Sequence, residues 1–403
     1  MNKSIAQSIL LAAFLFSSSS FAQSIVLSDL DFFKLVGAPI VQSHPRLNMA
    51  YGDLSGISEE RLHQAAHSLG RCGGYENMGG GVQAESLSIV QDLAKLELSL
   101  AKDTKWLSER KRSLKSKAKK SVRFRPEVKS LIDQVSSENL KESVLWMQGF
   151  GSRSHRATDP NRPVRALKEK LEALMAPSKL SYKIEEISHS RTNQNTIKLS
   201  LMGSKEPQKK VILGAHFDSI SGWMSRTAPG ADDNASGSSN LIEVARILSR
   251  SEPPQKTIEF FWYAGEEGGL IGSAEIASGY EAAGQQVLAV MQLDMTLYPG
   301  DGPFILGSVT DFTTPWVREL LGEINQTYFQ FQINDFECGY GCSDHASWYR
   351  RGFDTVAPFE ARMRSMNPDI HTSRDEVKSS YNFEHSAAFS KLALAFALEL
   401  DER

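Results

Sequence analysis

A small set of side chains in this sequence could together perform metal-assisted hydrolysis: His216, Asp232, the Glu266-Glu267 pair, Asp294 and His371. Each ends an apolar, strand-like run or stands in a glycine-rich turn, where an α/β sheet presents ligands to a substrate. Imidazoles combined with carboxylates suit zinc or a similar borderline divalent ion, and a coordination position left open suits catalysis.

The local contexts sharpen this reading. Val211-Ile212-Leu213-Gly214-Ala215 leads into His216-Phe217-Asp218. A carboxylate two residues on can orient the imidazole and fix which ring nitrogen faces a metal. Asp232, sixteen residues after His216, stands in Ala228-Pro229-Gly230-Ala231-Asp232-Asp233-Asn234-Ala235-Ser236-Gly237, which opens a helix. Capping that helix, worth about 1 kcal/mol, needs only one Asp or Asn. One of the two carboxylates is then free to bridge two cations while the other shapes the turn. Glu266 and Glu267 follow an aromatic strand and are bracketed by glycines, and adjacent like charges at a sheet edge are costly unless cations compensate. One glutamate can act as ligand and the other as proton carrier. Asp294 ends the apolar run Val290-Met291-Gln292-Leu293, and His371 follows Asn367-Pro368-Asp369-Ile370.

The elements that must position these groups alternate from about Pro126 onward. Short β-rich runs are expected at Thr196–Leu201, Lys210–Ala215, Thr257–Ala264, Val287–Leu293, Pro303–Leu306 and Thr355–Phe359. Helices are expected at Ser236–Ser249, Leu270–Ala283, Thr314–Asn325 and Phe383–Leu400. Several of the runs are too uniformly apolar for a one-sided sheet, so the expected fold is α/β, a mostly parallel central β-sheet sandwiched by helices.

The rest of the chain frames this domain. With 403 residues, 41% of them hydrophobic, it can bury one large core and a smaller unit. Residues 1–22 have the layout of a secretory signal peptide: Lys3, an apolar stretch around Ile9 to Phe16, and small residues before Gln23. Secretion, to the periplasm or outside the cell, is therefore expected, with no membrane anchor. Cys338 and Cys342, in Cys-Gly-Tyr-Gly-Cys, read as a disulfide because export favours oxidation and no second cysteine pair completes a zinc site. Cys72 is left over. Between Lys102 and Arg125 eleven basic residues face two acidic ones in a chain of net charge −3. Without interleaved aromatic platforms, that run reads as an exposed, cleavable linker rather than a nucleic-acid site. Residues 23–125, with helical spacing at Ser86–Leu100, are expected to form a pro-segment, with 126–403 the catalytic domain. Basic pairs such as Lys119-Lys120 would be targets of a processing protease.

The strings Gly-Ala-His-Phe-Asp, Ala-Pro-Gly-Ala-Asp-Asp-Asn-Ala-Ser-Gly, Ala-Gly-Glu-Glu, Gln-Leu-Asp-Met-Thr, Cys-Gly-Tyr-Gly-Cys-Ser-Asp-His-Ala-Ser-Trp and Asn-Pro-Asp-Ile-His-Thr occur in order. With them the chain resembles the secreted bacterial leucyl aminopeptidases of the two-zinc (co-catalytic zinc) metallopeptidase family, across roughly residues 126 to 400. Arg71-Cys72-Gly73-Gly74-Tyr75 is similar to a string in their pro-segments. The resemblance implies a zinc-exopeptidase fold and two Zn2+ per catalytic domain. Asp232 would bridge the ions, Glu267 and His371 would complete one site, and His216 and Asp294 the other. It further implies Glu266 as general base and acid, Asp218 as the partner of His216, and a cis peptide at Asp232-Asp233. Tyr340 would stabilise the oxyanion, and Met295, Phe359 and Met363 would line the pocket for an apolar, leucine-like first residue. His345 then reads as structural, because the ligand set is complete without it. The substrates would be peptides with a free N-terminus, and a monomer is expected. The competing readings are a single-zinc glutaminyl cyclase-like enzyme and a non-catalytic binding module on the same fold.

Overall fold

A computed structural model describes residues 25–44, 49–54, 56–57, 61–62, 65, 76–79, 121–222 and 227–403. The expected signal peptide, Cys72, the Arg71–Tyr75 string, the Ser86–Leu100 helix and most of the basic linker lie outside these residues.

The main sheet is built on strand β7, Glu206–His216. Its neighbours are β8, Lys256–Tyr263, and β9, Gln286–Gln292, both parallel to it. Two further strands, β5 at Tyr182–Ile187 and β6 at Thr196–Leu201, extend the β8 side antiparallel. The short strand Thr355–Val356 adds parallel to β9. The six strands therefore run from Thr355–Val356 through β9, β7, β8 and β6 to β5. The chain leaves β7 for β8 on one side and then crosses to β9 on the other. That reversal makes the carboxyl end of β7 a topological switch point, where a crevice opens between diverging loops.

Alternation along the strands explains why both faces are covered. Val211, Leu213 and Ala215 of β7, with Phe260 and Trp262 of β8, point into the larger core, while Ile212, Phe261 and Tyr263 point into the other. Helices Ser137–Gln148, Arg162–Met175, Ala235–Leu248 and Phe383–Glu402 contribute to the first core. Helix Ile271–Ala282 and Trp348, on the short helix His345–Arg350, close the second. Leu213 is fully buried at the centre. Leu213→Ala should cost about 2–5 kcal/mol, read as a lowered urea midpoint with an unchanged slope.

The run expected at Thr355–Phe359 is divided between two sheets. Thr355–Val356 joins the main sheet, whereas Pro358–Phe359 pairs with Ile305–Val309 in a three-stranded sheet completed by Gln332–Phe336. The strand expected at Pro303–Leu306 begins later, at Ile305. Residues 25–79 include an antiparallel four-stranded sheet with its own core of Val26, Phe32, Phe33, Val36 and Ala50.

Candidate active site

The crevice at the end of β7 gathers the expected residues. His216 is the last residue of its strand, Asp294 stands two residues past β9, and Glu266 and Glu267 follow β8. Asp232 and Asp233 precede helix Ala235–Leu248, whose start is capped by Asn234: its Oδ1 accepts from Gly237 N–H at 2.8 Å. Gly237 is required because a Cβ there would collide with the Leu293 carbonyl. His371 comes from the loop before the C-terminal helix and has φ 55°. Met295, next to Asp294, and Leu270, near the glutamates, also have positive φ. Non-glycine residues held in this region concentrate at functional sites.

One expectation is corrected. The carboxylate that meets both imidazoles belongs to Asp233, not Asp232. His216 Nε2 lies 3.0 Å from Asp233 Oδ1 and 3.3 Å from Asp294 Oδ1. His371 Nε2 lies 3.0 Å from Asp233 Oδ2 and 3.0 Å from Glu267 Oε2. Asp232 is turned the other way, where its Oδ1 accepts from Leu297 N–H at 2.9 Å and its Oδ2 from Asn367 Nδ2 at 3.0 Å. The Asp375 carboxylate decides the orientation by accepting the backbone N–H groups of both Asp232 and Asp233. The cis peptide is likewise Asp233-Asn234 rather than Asp232-Asp233.

Asp218 joins the imidazole to the glutamate loop. His216 Nδ1 lies 3.1 Å from the Asp218 carbonyl and 3.6 Å from its carboxylate, so the closer oxygen is the backbone one. An Nδ1–H donated there leaves the Nε2 lone pair facing Asp233 and Asp294. The Asp218 carboxylate accepts the N–H groups of Glu266 at 3.0 Å and Glu267 at 3.2 Å. Burial alone would raise Asp218, but the His216 imidazole and these donors hold it below the usual carboxylate range.

The electrostatics are those of a concentrated anionic site. Burial pushes Glu266 well above its ordinary value, reinforced by Glu267, Asp344 and Asp294. Burial raises Glu267 as well, with Asp233 adding to the effect. Burial would lower His216 and His371, but Asp294 and Glu266 around the first, and Glu267 and Asp233 around the second, hold both well above the usual imidazole value.

Two groups of ligand atoms result, His216–Asp233–Asp294 and Asp233–Glu267–His371, each with its atoms within 4.8 Å of one another. Among the described residues Glu267 Oε1 accepts no hydrogen bond, and the group facing Oε2 is the His371 imidazole at 3.0 Å. Buried anions with so few donors, converging on imidazole nitrogens, fit divalent cations.

The other expected residues lie around this centre. Cys338 and Cys342 form a disulfide that closes the loop bearing Tyr340, which is 3% exposed. A narrow cleft opens beside Asp294, with Val309, Cys342, Ala357, Phe359 and Met363 among its walls. Met295 is not on that wall but packs behind it against Ile370 and Phe359. His345 borders the cleft and belongs to neither ligand group. Burial pushes its imidazole down to about 4, which keeps it neutral.

Residues 196–397 match the profile of peptidase family M28. The chain belongs to this family. A probable leucine aminopeptidase of Trichophyton verrucosum is 36% identical over 289 residues, 70% of this chain and 77% of that protein. Leucine aminopeptidase 1 of Coccidioides posadasii is 33% identical over 295 residues, 69% of this chain and 75% of that one. Among solved structures, the Legionella pneumophila LapA aminopeptidase superposes with a TM-score of 0.79 at 26% identity, over 95% of this chain and 100% of that one. As a member of family M28 with these relatives, the chain is a metallo-aminopeptidase. Its sheet flanked by helices is the architecture of the M28 aminopeptidases.

Three residues that support the site have no role expected of them from the sequence. Asp375, Asn367 and Glu360 hold the Asp232–Asp233 turn, but nothing in their spacing distinguishes them from ordinary loop residues. Asp233 was visible beside Asp232, without a signal to choose between them.

Proposed function

We propose that this chain is an exported, two-zinc aminopeptidase that releases apolar, leucine-like residues from the free N-terminus of peptides. The observation that carries this reading is the pair of ligand groups meeting at Asp233, with Glu266 beside them. When bound, one zinc held by His216, Asp233 and Asp294 and a second held by Asp233, Glu267 and His371 would polarise the substrate carbonyl and lower the pKa of the attacking water. Glu266 is the proton carrier: its carboxylate takes the proton from the water as it attacks and delivers it to the leaving nitrogen. The Tyr340 hydroxyl donates to the carbonyl oxygen as negative charge grows there. Asp218 keeps the His216 ring and the Glu266-Glu267 turn in fixed relation. Phe359, Met363 and Ala357 offer the first side chain an apolar wall, and the leucine aminopeptidase relatives support the same preference. Met363 can adapt its shape to neighbouring side-chain sizes.

A single-zinc cyclising enzyme would leave one of the two ligand groups idle, and a binding module would have no use for Glu266. Export is supported by the leader-like first 22 residues and by the Cys338–Cys342 disulfide. Among the described residues no helix is long and apolar enough to cross a membrane. Residues 23–125 would be removed as a pro-segment by a protease acting in the basic linker, leaving a monomeric domain.

The test is hydrolysis of a panel of amino-acid p-nitroanilides by the purified, processed protein. Release should be greatest for leucine and similar apolar residues, stop on chelation, return with zinc, and vanish when the substrate amine is acetylated. Metal-loaded protein that releases nothing from any free-amine substrate would refute the reading.

A further inference from the structure

Arg153, beyond the helix Ser137–Gln148, is 1% exposed and lies outside every motif that the chemistry uses. Its guanidinium is spread over four backbone carbonyls. Nε donates to Phe217 at 2.9 Å, Nη1 to Met147 at 3.3 Å and Pro229 at 2.7 Å, and Nη2 to Gly230 at 2.8 Å. These carbonyls belong to three segments: the end of a helix, the residue after His216, and the turn that leads to Asp233. Its own backbone N–H donates to Ser219 Oγ, whose hydroxyl donates in turn to the Ala228 carbonyl at 2.7 Å. The fit is close, since a Cβ on Gly230, where φ is +52°, would stand 2.9 Å from Arg153 Nη2.

We propose that Arg153 is a positioning residue that sets the spacing between His216 and Asp233, and so determines how tightly the zinc ion they share is held. The inference rests on the two-zinc reading above. A planar fork can satisfy carbonyls on separate segments at once, whereas a lysine ammonium with three donors cannot span them. Burial lowers the guanidinium to about 10, so it stays charged at neutral pH, with Asp375, Asp218, Asp233 and Glu267 supporting the charge. A charge effect and a geometric effect are separable because lysine keeps the first and loses the second.

The experiment compares wild type, Arg153→Lys, Arg153→Met and the milder Ser219→Ala after metal removal. Zinc affinity is measured by competition with a chelating dye, and the absorption spectrum of the cobalt-substituted protein is recorded. Both Arg153 variants should hold the zinc shared by His216 and Asp233 about tenfold or more less tightly, as for other groups that orient ligands. Their cobalt spectra should change, and excess zinc should restore turnover to within about threefold. Ser219→Ala should shift affinity the same way by a smaller factor, which keeps the test open if the Arg153 variants do not fold. Unchanged zinc affinity and cobalt spectra with only a lower unfolding temperature would overturn the proposal, leaving Arg153 a packing residue. Wild-type affinity in Arg153→Lys alone would overturn the geometric role in favour of charge. A wild-type protein that binds no zinc would instead overturn the two-zinc reading, and this inference with it.

Discussion

Asp233→Asn should reduce bound zinc from two equivalents to at most one and lower kcat/KM by about a thousandfold. Among the described residues Asp233 is the one carboxylate within 3.0 Å of both His216 and His371, one oxygen to each. An amide keeps only one acceptor oxygen, so it cannot serve both sides. Metal ions acting as Lewis acids contribute several kcal/mol to such reactions, and each 1.36 kcal/mol is tenfold in rate. Asp232→Asn supplies the contrast. Its carboxylate holds Leu297 N–H and Asn367, so this variant should lose about 1–3 kcal/mol of stability while keeping two zinc ions. Metal content by atomic absorption, measured on both variants in parallel, discriminates. Two zincs in Asp233→Asn and fewer in Asp232→Asn would return the bridge to Asp232.

Glu266→Gln should retain both zinc ions and near-normal KM while kcat falls by about 10²–10⁴-fold, the range that general acid–base groups contribute. The substitution preserves shape and leaves the Asp218 contact intact, because that contact is made to the Glu266 backbone N–H. Glu266 also lies outside both ligand groups. Turnover close to wild type would remove Glu266 from the proton path. Loss of zinc along with turnover would make it a ligand instead.

The fold was legible wherever local pattern and burial agree. The strand Thr196–Leu201 has the ends its alternation predicts, and the four helices expected after residue 126 all occur, two of them behind the caps Asn234 and Asn382, because alternation, helical spacing and caps are local signals. Two further elements were not expected. Arg162–Met175 carries a regular helical pattern, with Val164, Leu167, Leu171 and Met175 buried on one face, so it was legible in the sequence; the edge strand Tyr182–Ile187 is polar and largely exposed, and its pattern gives no such signal.

The sequence by itself determined the kind of chemistry. Two histidines and a set of carboxylates, each at a strand end or a turn, define a metal site through residue type and spacing, and ordered strings tie them to a family. Which carboxylate of the Asp232–Asp233 pair faces the histidines was decided only in three dimensions. Adjacent residues of one type carry the same chemical label, and their directions depend on a backbone pinned from 142 residues away by Asp375. The reach of Arg153 across three segments is equally a property of the folded chain. Hydrogen bonds to carbonyls leave no trace in the identity of the residues that provide them.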